Sequence, residues 1–187
     1  MPLETTRGGR RARRRGYPTA TRLFPSTPLT NTGAMDPGWL FQTISGHPDL
    51  LVPETLQHEA SQEGCGFVER LVSEWRDGSN RFDRDGEILF AGHLVGGEMV
   101  AVGGLNRDFA HHSGVGRLRH IYIRPAFRRR GIASALIGRL ELHGRLSFRS
   151  IRLRTDSSVA ARLYESRGYQ PINSETATHV LTWSDLT

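Results

Sequence analysis

Hydrophobic and polar positions along this chain follow two periods, one typical of strands and the other of helices. Residues 53–62 and 67–75 have apolar positions at helical spacing, and Asp77-Gly78 follows the second as a helix end. Gly96-Gly97 separates two apolar runs, which is the pattern of a two-residue hairpin. Short runs rich in β-branched and aromatic residues predict strands at residues 39–44, 87–95, 98–106 and 120–123.

The second half of the chain alternates helix and strand patterns. A strand, helix, strand order implies parallel pairing, whereas the hairpin implies antiparallel pairing. The sequence therefore predicts an α/β fold of one domain, with a central mixed, mostly antiparallel sheet of about six to seven strands flanked by helices. The later elements are expected as helices at residues 133–143 and 157–167 and as strands at 150–155, 169–172 and 178–183.

Composition sets residues 1–36 apart from residues 37–187. The first 34 positions hold seven of the 25 basic residues but one of the 19 acidic ones, which accounts for the whole net charge of +6. Few apolar residues accompany this charge, so the segment cannot offset the entropy lost on ordering. We expect a disordered basic tail or a mis-extended start at 1–36 and a folded, formally neutral domain at 37–187.

Three interpretations of the arginine-rich tail are open. It can bind nucleic acid or an anionic surface, direct the chain to an organelle, or represent an upstream extension of a protein whose working start is Met35. The last is favoured, because translated GC-rich sequence has the same arginine-rich, acid-poor bias. The neutral charge of the domain itself argues against nucleic acid as its partner.

Other features narrow the class of protein. No stretch reaches the ~20 apolar residues that span a bilayer, and the N-terminus lacks the apolar core of a secretory signal. We therefore expect a cytoplasmic protein without a membrane partner. Cys65 is the only cysteine, so an intramolecular disulfide is excluded. We expect no metal, because no His or Cys spacing resembles a zinc site.

Residues 118–140 carry the clearest chemical signal in the chain. A strand pattern ends at Pro125, which cannot donate to a sheet ladder. Gly131 then precedes a helical pattern with apolar residues on one face. A helix N-terminus offers unpaired N–H groups and about half a positive charge, to which the arginines at 128–130 add theirs. The segment predicts a turn that binds a pyrophosphate.

This turn resembles the signature of a known family. Residues 128–133 match the Arg/Gln-x-x-Gly-x-Gly/Ala motif with which the GNAT acetyltransferases hold the pyrophosphate of acetyl-coenzyme A. Residues 151–155 resemble the family's next strand, and its A-x-x-L-Y-x-x-x-G-aromatic helix is matched after it. By resemblance the chain is identified as a GNAT superfamily acetyl-coenzyme A-dependent N-acetyltransferase. The residues of the second match are Ala160, Leu163, Tyr164, Gly168 and Tyr169.

The resemblance implies which residues hold the co-substrate, acetyl-coenzyme A. Backbone groups of Ile121 and Ile123 would contact its pantetheine arm, although both side chains also suit an ordinary core position. The arginine triplet is also consistent with a solvated charge run, and Ser157 with a helix N-cap. The implied cofactor-binding residues are Ile121, Tyr122, Ile123, Arg128, Arg129, Arg130, Gly131, Ile132, Ala133, Ser134 and Ser157.

Acetyl transfer to an amine needs a base for the amine and an acid for the departing thiolate. By resemblance Tyr164 is the acid, since a phenol with a pKa of ~10 stays protonated at pH 7; a core aromatic is the alternative. The family's usual base is a glutamate early in the fourth strand, where this chain has Arg117. His120 is the candidate in its place, with an ordinary sheet histidine or a water chain equally open. Further candidates for the base are Asp108, His111, His112 and His179.

The resemblance implies transfer of acetyl to a primary amine of a small molecule or peptide, by direct attack in a ternary complex, in a monomer or homodimer. The acceptor site would lie among the first two helices, the loop at 107–115 and the last strands. Alternatives are another donor such as succinyl-coenzyme A, a non-catalytic acyl-coenzyme A sensor, and a nucleic-acid-binding adaptor acting through the tail. Charged residues that could face the acceptor, but are more typical of surface, are Glu74, Arg76, Arg81, Asp83 and Glu98.

Overall fold

The computed structural model of the chain describes residues 38–44, 52–111 and 114–183. The tail expected at 1–36 and the candidate base His112 lie outside these ranges. The elements in the described ranges are β1 (Trp39–Thr43), α1 (Glu54–Gln62), α2 (Phe67–Asp77), β2 (Ile88–Leu94), β3 (Met99–Arg107), β4 (Val115–Ile123), α3 (Ile132–Gly144), β5 (Ser150–Leu153), α4 (Ser158–Glu165), β6 (Gln170–Pro171) and β7 (His179–Thr182).

The strands form one sheet in the order β1-β2-β3-β4-β5-β7-β6. β4 and β5 are parallel, since α3 carries the chain back between them, and every other neighbouring pair of described strands is antiparallel. The prediction of an α/β domain with a mixed, mostly antiparallel sheet flanked by helices is confirmed.

Helices cover both faces of the sheet, and each face has its own hydrophobic core. On one face α3 buries Ile132, Leu136 and Leu140, as their helical spacing predicts. On the other face α1 and α2 pack against the sheet, and Leu71 of α2 and Tyr122 of β4 belong to that second core. β4 therefore lies between two sets of helices and contributes side chains to both.

Glycines stand where the backbone must turn through the left-handed region. Gly78 directly follows α2 with φ 81°, which confirms the predicted end of that helix. α4 ends at Glu165, two residues before its predicted end, and Gly168 with φ 93° lies in the turn after it. The hairpin between β2 and β3 turns at Gly97, whose φ is 90°.

Several strands are shorter than the sequence pattern predicts, and for β5 and β6 the reason is visible. β5 stops at Leu153, because the N–H of Thr155 donates to Thr178 Oγ1 (3.1 Å) and not to a strand backbone. β6 consists of Gln170 and Pro171, and a proline cannot extend the ladder because it lacks an N–H.

Candidate functional site

β4 and β5 separate after a short stretch of pairing. Beyond that stretch, residues 118–123 of β4 pair with no residue of β5, although four of them still pair with β3. The edge of β4 that faces β5 therefore lacks a strand partner there and can exchange backbone hydrogen bonds with an extended ligand. The pairs that join the two strands are Val115 with Ser150, Gly116 with Ile151, and Arg117 with Arg152.

A β-bulge interrupts β4 at the start of this open segment. On β3, Gly103 lies between the paired residues Val102 and Gly104, whereas on β4 the matching pairs enclose two residues, His120 and Ile121. His120 takes a left-handed backbone with φ 58°. The bulge thus adds one residue to β4 and changes which side chains face each core.

The changed alternation corrects an expectation from the sequence. The strand pattern puts Leu118, His120 and Tyr122 on one face. Leu118 instead packs in the α3-side core, whereas His120 contacts Phe67 of α2. The extra residue at the bulge is the reason, since it shifts the alternation by one position.

The three residues predicted along the pantetheine path point to both sides of the sheet. Ile121 and Ile123 pack in the α3-side core, so their contribution to a ligand would be through the backbone. Tyr122 is buried on the other face, and its hydroxyl donates to Glu63 Oε2 (2.8 Å). Burial and this hydrogen bond raise the pKa of Tyr122, which keeps the phenol protonated.

The turn between β4 and α3 exposes the start of a helix. Gly131 has φ 82° and precedes α3, and a Cβ built there would meet nothing within 4 Å. The first backbone bond of the helix joins the Ala135 N–H to the Gly131 carbonyl (3.0 Å), and no side chain in the described part of the chain caps α3. The N–H groups of residues 132–134 therefore face outward with the positive end of the helix dipole, which suits an anion.

The three arginines of the predicted phosphate turn fall into two groups. Arg128 binds Glu63 through both terminal nitrogens (2.7 and 2.6 Å), and its Nε donates to the Ile123 carbonyl (2.9 Å). Arg129 and Arg130 are exposed, and the Arg130 guanidinium lies 5.3 Å from the centre of the Phe127 ring. Arg129 and Arg130 can thus turn their charge toward a ligand, whereas the charge of Arg128 is already paired.

The two predicted serines have partners within the protein. The hydroxyl of Ser134 accepts a hydrogen bond from Arg167 Nη1 (2.9 Å). Ser157 is the N-cap of α4, where its Oγ accepts from the Ala160 N–H (3.3 Å). Ser157 therefore has the helix N-cap role that the sequence offered as the alternative to coenzyme binding.

Tyr164, the predicted acid, lies on α4 with 7% of its surface exposed. Its ring centre lies 5.5 Å from that of Tyr169, edge-on, and 6.4 Å from that of His179. Tyr164 therefore occupies the core position that the sequence offered as the alternative to its role as the acid. Burial, with a smaller effect from the Glu141 charge, raises the pKa of Tyr164 to about 12. The phenol therefore holds its proton throughout the neutral range.

His120, the predicted base, is buried at the bulge with 6% of its surface exposed. Its Nδ1 lies 2.7 Å from the Phe67 carbonyl, so Nδ1 carries the hydrogen and Nε2 the lone pair. Nε2 has no hydrogen-bond partner among the described residues. Burial and the neighbouring Arg119 charge lower the pKa of His120 to about 4, which makes the imidazole neutral at pH 7 but a weak base.

Glu74 of α2, which the sequence offered as a charged residue that could face the acceptor, lies beside the candidate base His120. Its Oε2 lies 3.8 Å from His120 Nε2, and its Oε1 pairs with Arg119 Nη2 (3.0 Å). Burial acts to raise the pKa of Glu74, but hydrogen bonds from Asn80 and Arg119 and nearby positive charges outweigh it and lower the pKa. The sequence contains a signal that Glu74 faces the sheet, because it follows the buried Leu71 by three positions and so lies beside the apolar stripe of α2.

A second polar group, the Asp108 cluster, joins Asp108, His111, Arg117 and Arg152. Asp108 is 4% exposed, and its Oδ2 lies 3.2 Å from His111 Nδ1, 3.6 Å from Arg117 Nη1 and 3.8 Å from Arg152 Nη1. The cluster contains two of the alternative bases and the arginine that replaces the family's glutamate. His179, another alternative, is apart from it, with Nε2 3.4 Å from Glu165 Oε1.

The described ranges contain neither a metal-binding cluster nor a membrane-spanning helix. No group of three or more His, Cys, Asp or Glu side chains there could hold a metal ion. Among the same residues, no helix combines the length and apolar character that crossing a bilayer requires.

Comparison with protein families gives a match to an acetyltransferase (GNAT) domain over residues 85–171. The matched segment contains β4, the turn at Gly131, α3 and α4, which are the elements that build the site. The comparison with curated proteins finds no match.

Solved structures with this fold include several acetyltransferases. A candidate acetyltransferase from Exiguobacterium sp. 255-15 is 27% identical with a TM-score of 0.70, covering 79% of this chain and 94% of its own. An acetyltransferase from Streptococcus agalactiae is 15% identical with a TM-score of 0.59, covering 76% of this chain and 96% of its own. A GNAT family acetyltransferase from Brucella melitensis, solved in complex with acetyl-coenzyme A, is 14% identical with a TM-score of 0.58, covering 78% and 88%.

Proposed function

Because the chain belongs to the GNAT acetyltransferase superfamily, we propose that it transfers the acetyl group of acetyl-coenzyme A to a primary amine of a small molecule or peptide. Transfer is by direct attack in a ternary complex, and the protein acts in the cytoplasm as a monomer or homodimer. The observation that carries the proposal is the open edge of β4, which leads into the Gly131 turn and the N-terminus of α3. A ligand with an amide-bearing arm and a pyrophosphate matches both features.

The residues of the turn fit a pyrophosphate. The N–H groups of Ile132, Ala133 and Ser134 precede the first backbone bond of α3, so they have capacity for phosphate oxygens. Arg129 and Arg130 are exposed beside them and add positive charge. The space at Gly131 lets a ligand approach the backbone, which a side chain would prevent.

Acetyl-coenzyme A supplies a thioester whose carbonyl carbon the amine attacks. The N–C bond forms, the C–S bond breaks, the amine nitrogen loses a proton and the departing sulfur gains one. Tyr164 donates the proton to the departing sulfur, because its pKa of about 12 keeps the phenol protonated and so holds a proton ready at neutral pH. A proton from solvent then restores the phenol.

His120 and Glu74 together take the proton from the amine nitrogen. An imidazole with a pKa of about 4 cannot deprotonate a free ammonium efficiently, so the amine must arrive neutral. Once the N–C bond forms, the nitrogen becomes acidic enough for a weak base. The carboxylate of Glu74, 3.8 Å from Nε2, stabilises the imidazolium that results.

Titration calorimetry of the full chain tests the proposal first. The titrants are acetyl-coenzyme A, desulfo-coenzyme A as an unreactive analogue, and a nucleotide without the pantetheine arm as the control. We expect both coenzymes to bind at micromolar concentration and the nucleotide to bind at least about tenfold more weakly, since it lacks the contacts along β4. Equal binding of all three would contradict a pantetheine site on the β4 edge.

A turnover assay then separates a transferase from a sensor. A mixture of primary amines is incubated with acetyl-coenzyme A, and released thiol is measured against a sample without amine. Amine-dependent release supports the transferase. Coenzyme binding without release from any amine would identify a sensor and overturn the catalytic part of the proposal.

A further inference from the structure

The arginines of the Asp108 cluster lie where β4 and β5 begin to separate. Arg117 and Arg152 face each other in the last residue pair that joins the two strands. Paired residues project from the same face of a sheet, and both guanidinium groups reach Asp108 Oδ2 on that face. Arg119, two positions after Arg117, projects the same way and reaches Glu74.

Segments from different parts of the chain meet at these two arginines. Arg117 Nη2 donates to the Thr176 carbonyl (2.7 Å), and Arg152 Nη2 donates to Ser174 Oγ (2.8 Å). Asp108 comes from the loop after β3. Ser174 and Thr176 lie between β6 and β7. The loop after β3 and the last strands are two of the walls that the family resemblance predicts for the acceptor site.

Positive charge exceeds negative charge on this face. The guanidinium groups of Arg117, Arg119 and Arg152 face two carboxylates, those of Asp108 and Glu74. Burial lowers the pKa of Arg117, Asp108 acts against this, and the charges of Arg119 and Arg152 lower it further. The three arginines thus repel one another in a half-buried position, and an additional anion would relieve that repulsion.

We infer that the acceptor carries a carboxylate in addition to its amine, and that Arg117 and Arg152 bind this carboxylate at the point where β4 and β5 part. The inference rests on the proposed function and names its substrate class, which is amino acids and related amino carboxylates. Planar guanidinium groups suit this task, because they bind carboxylates with two parallel hydrogen bonds. Arg117 already has one donor bound to a carbonyl and keeps others for a ligand.

Matched pairs of amines test whether the carboxylate is recognised. The probes are L-phenylalanine with L-phenylalaninamide, and γ-aminobutyrate with its amide, so that two spacings between amine and carboxylate are sampled. We expect kcat/KM to be at least about tenfold higher for the acid of one pair than for its amide. The amine of each amide probe is a weaker base than that of the matching acid, so a larger fraction of it is neutral and reactive. This difference alone would favour the amide, so a preference for the acid must come from recognition of the carboxylate.

Variants assign the recognition to the cluster. Arg117→Gln keeps a polar side chain but removes the charge, and we expect it to raise KM for the preferred acid about tenfold or more. Its KM for the matching amide and its affinity for acetyl-coenzyme A should stay within a factor of about two. Arg145→Gln, at an exposed position after α3, is the control and should change none of these values. Arg152→Gln should repeat the Arg117→Gln result, provided that its melting temperature shows a folded protein.

Two results would overturn the inference alone. One is equal turnover of the acids and their amides by the unaltered protein, and the other is an equal loss with both members of a pair in Arg117→Gln, which would make the cluster structural. Failure to acetylate any probe, while other amines of the mixture release thiol, would also overturn the inference alone. Failure of every amine while acetyl-coenzyme A still binds would overturn the inference together with the transferase function.

Discussion

The buried imidazole of His120 makes a sharp prediction about stability and pH. In the folded protein the pKa of His120 is about 4, whereas in the unfolded chain it is ~6.5. The unfolded chain therefore binds a proton as pH falls through 6.5, and the folded protein does not until about pH 4. Stability is thus complete above pH 6.5 and is lost progressively toward pH 4, with a fall in the free energy of unfolding of about 2 kcal/mol between pH 7 and pH 5.

His120→Asn isolates this contribution. Asparagine tolerates the left-handed backbone of this position, and its amide can still donate to the Phe67 carbonyl, but it does not titrate. Carboxylates such as Glu59 and Glu63, whose pKa values are lowered by bonds to Arg124 and Arg128, also weaken the fold in acid. They are present in both proteins, so their effect cancels in the comparison.

Urea unfolding followed by tryptophan fluorescence at pH 7, 6 and 5 gives the measurement. Wild type should lose about 2 kcal/mol more than His120→Asn between pH 7 and pH 5, and the two should change in parallel above pH 7. If the two proteins lose the same stability on acidification, His120 is not buried as a neutral imidazole, and its role as a weak base fails with it.

Three further changes test other parts of the structure. Gly131→Glu should abolish acetyl-coenzyme A binding in calorimetry, because the new side chain fills the open space at the turn and makes it negative. Gly96→Glu, in the exposed hairpin, is the control and should leave binding intact. Normal binding by a folded Gly131→Glu protein would refute the turn assignment. Tyr164→Phe should lower kcat ~10²-fold with little change in coenzyme affinity, and Tyr169→Phe should stay within a few-fold of wild type; unchanged turnover would make Tyr164 structural. Gly104→Ala should lower the free energy of unfolding by about 1–3 kcal/mol, because the added Cβ would lie 2.2 Å from Phe82 Cε1. If the variant is as stable as wild type, the Phe82 ring moves aside freely.

Local sequence signals predicted much of the fold. The spacing of Ile132, Leu136 and Leu140 identified the buried face of α3, because helical periodicity depends on neighbouring residues alone. Gly78 predicted where α2 ends for the same reason. The strand, helix, strand order was enough to predict the parallel pairing of β4 and β5.

Interactions between distant segments account for what the sequence did not predict. Arg128 and Glu63 are 65 positions apart, so a motif read along the chain could not show that this arginine is already paired. The bulge at His120 requires a left-handed histidine, which is uncommon and has no local sequence signature. The contact between Glu74 and His120 depends on how α2 packs over β4, and that geometry exists only once the sheet has formed.

The short pairing of β4 with β5 divides the sheet into two parts that share few backbone hydrogen bonds. Three residue pairs hold the half made by β1 to β4 against the half made by β5, β7 and β6. Past these pairs, a pantetheine arm lying along β4 would supply the hydrogen bonds that β5 does not. The coenzyme would then act as an added length of strand as well as a reactant, and beyond the three pairs it would be the hydrogen-bonding partner that β4 otherwise lacks on this edge.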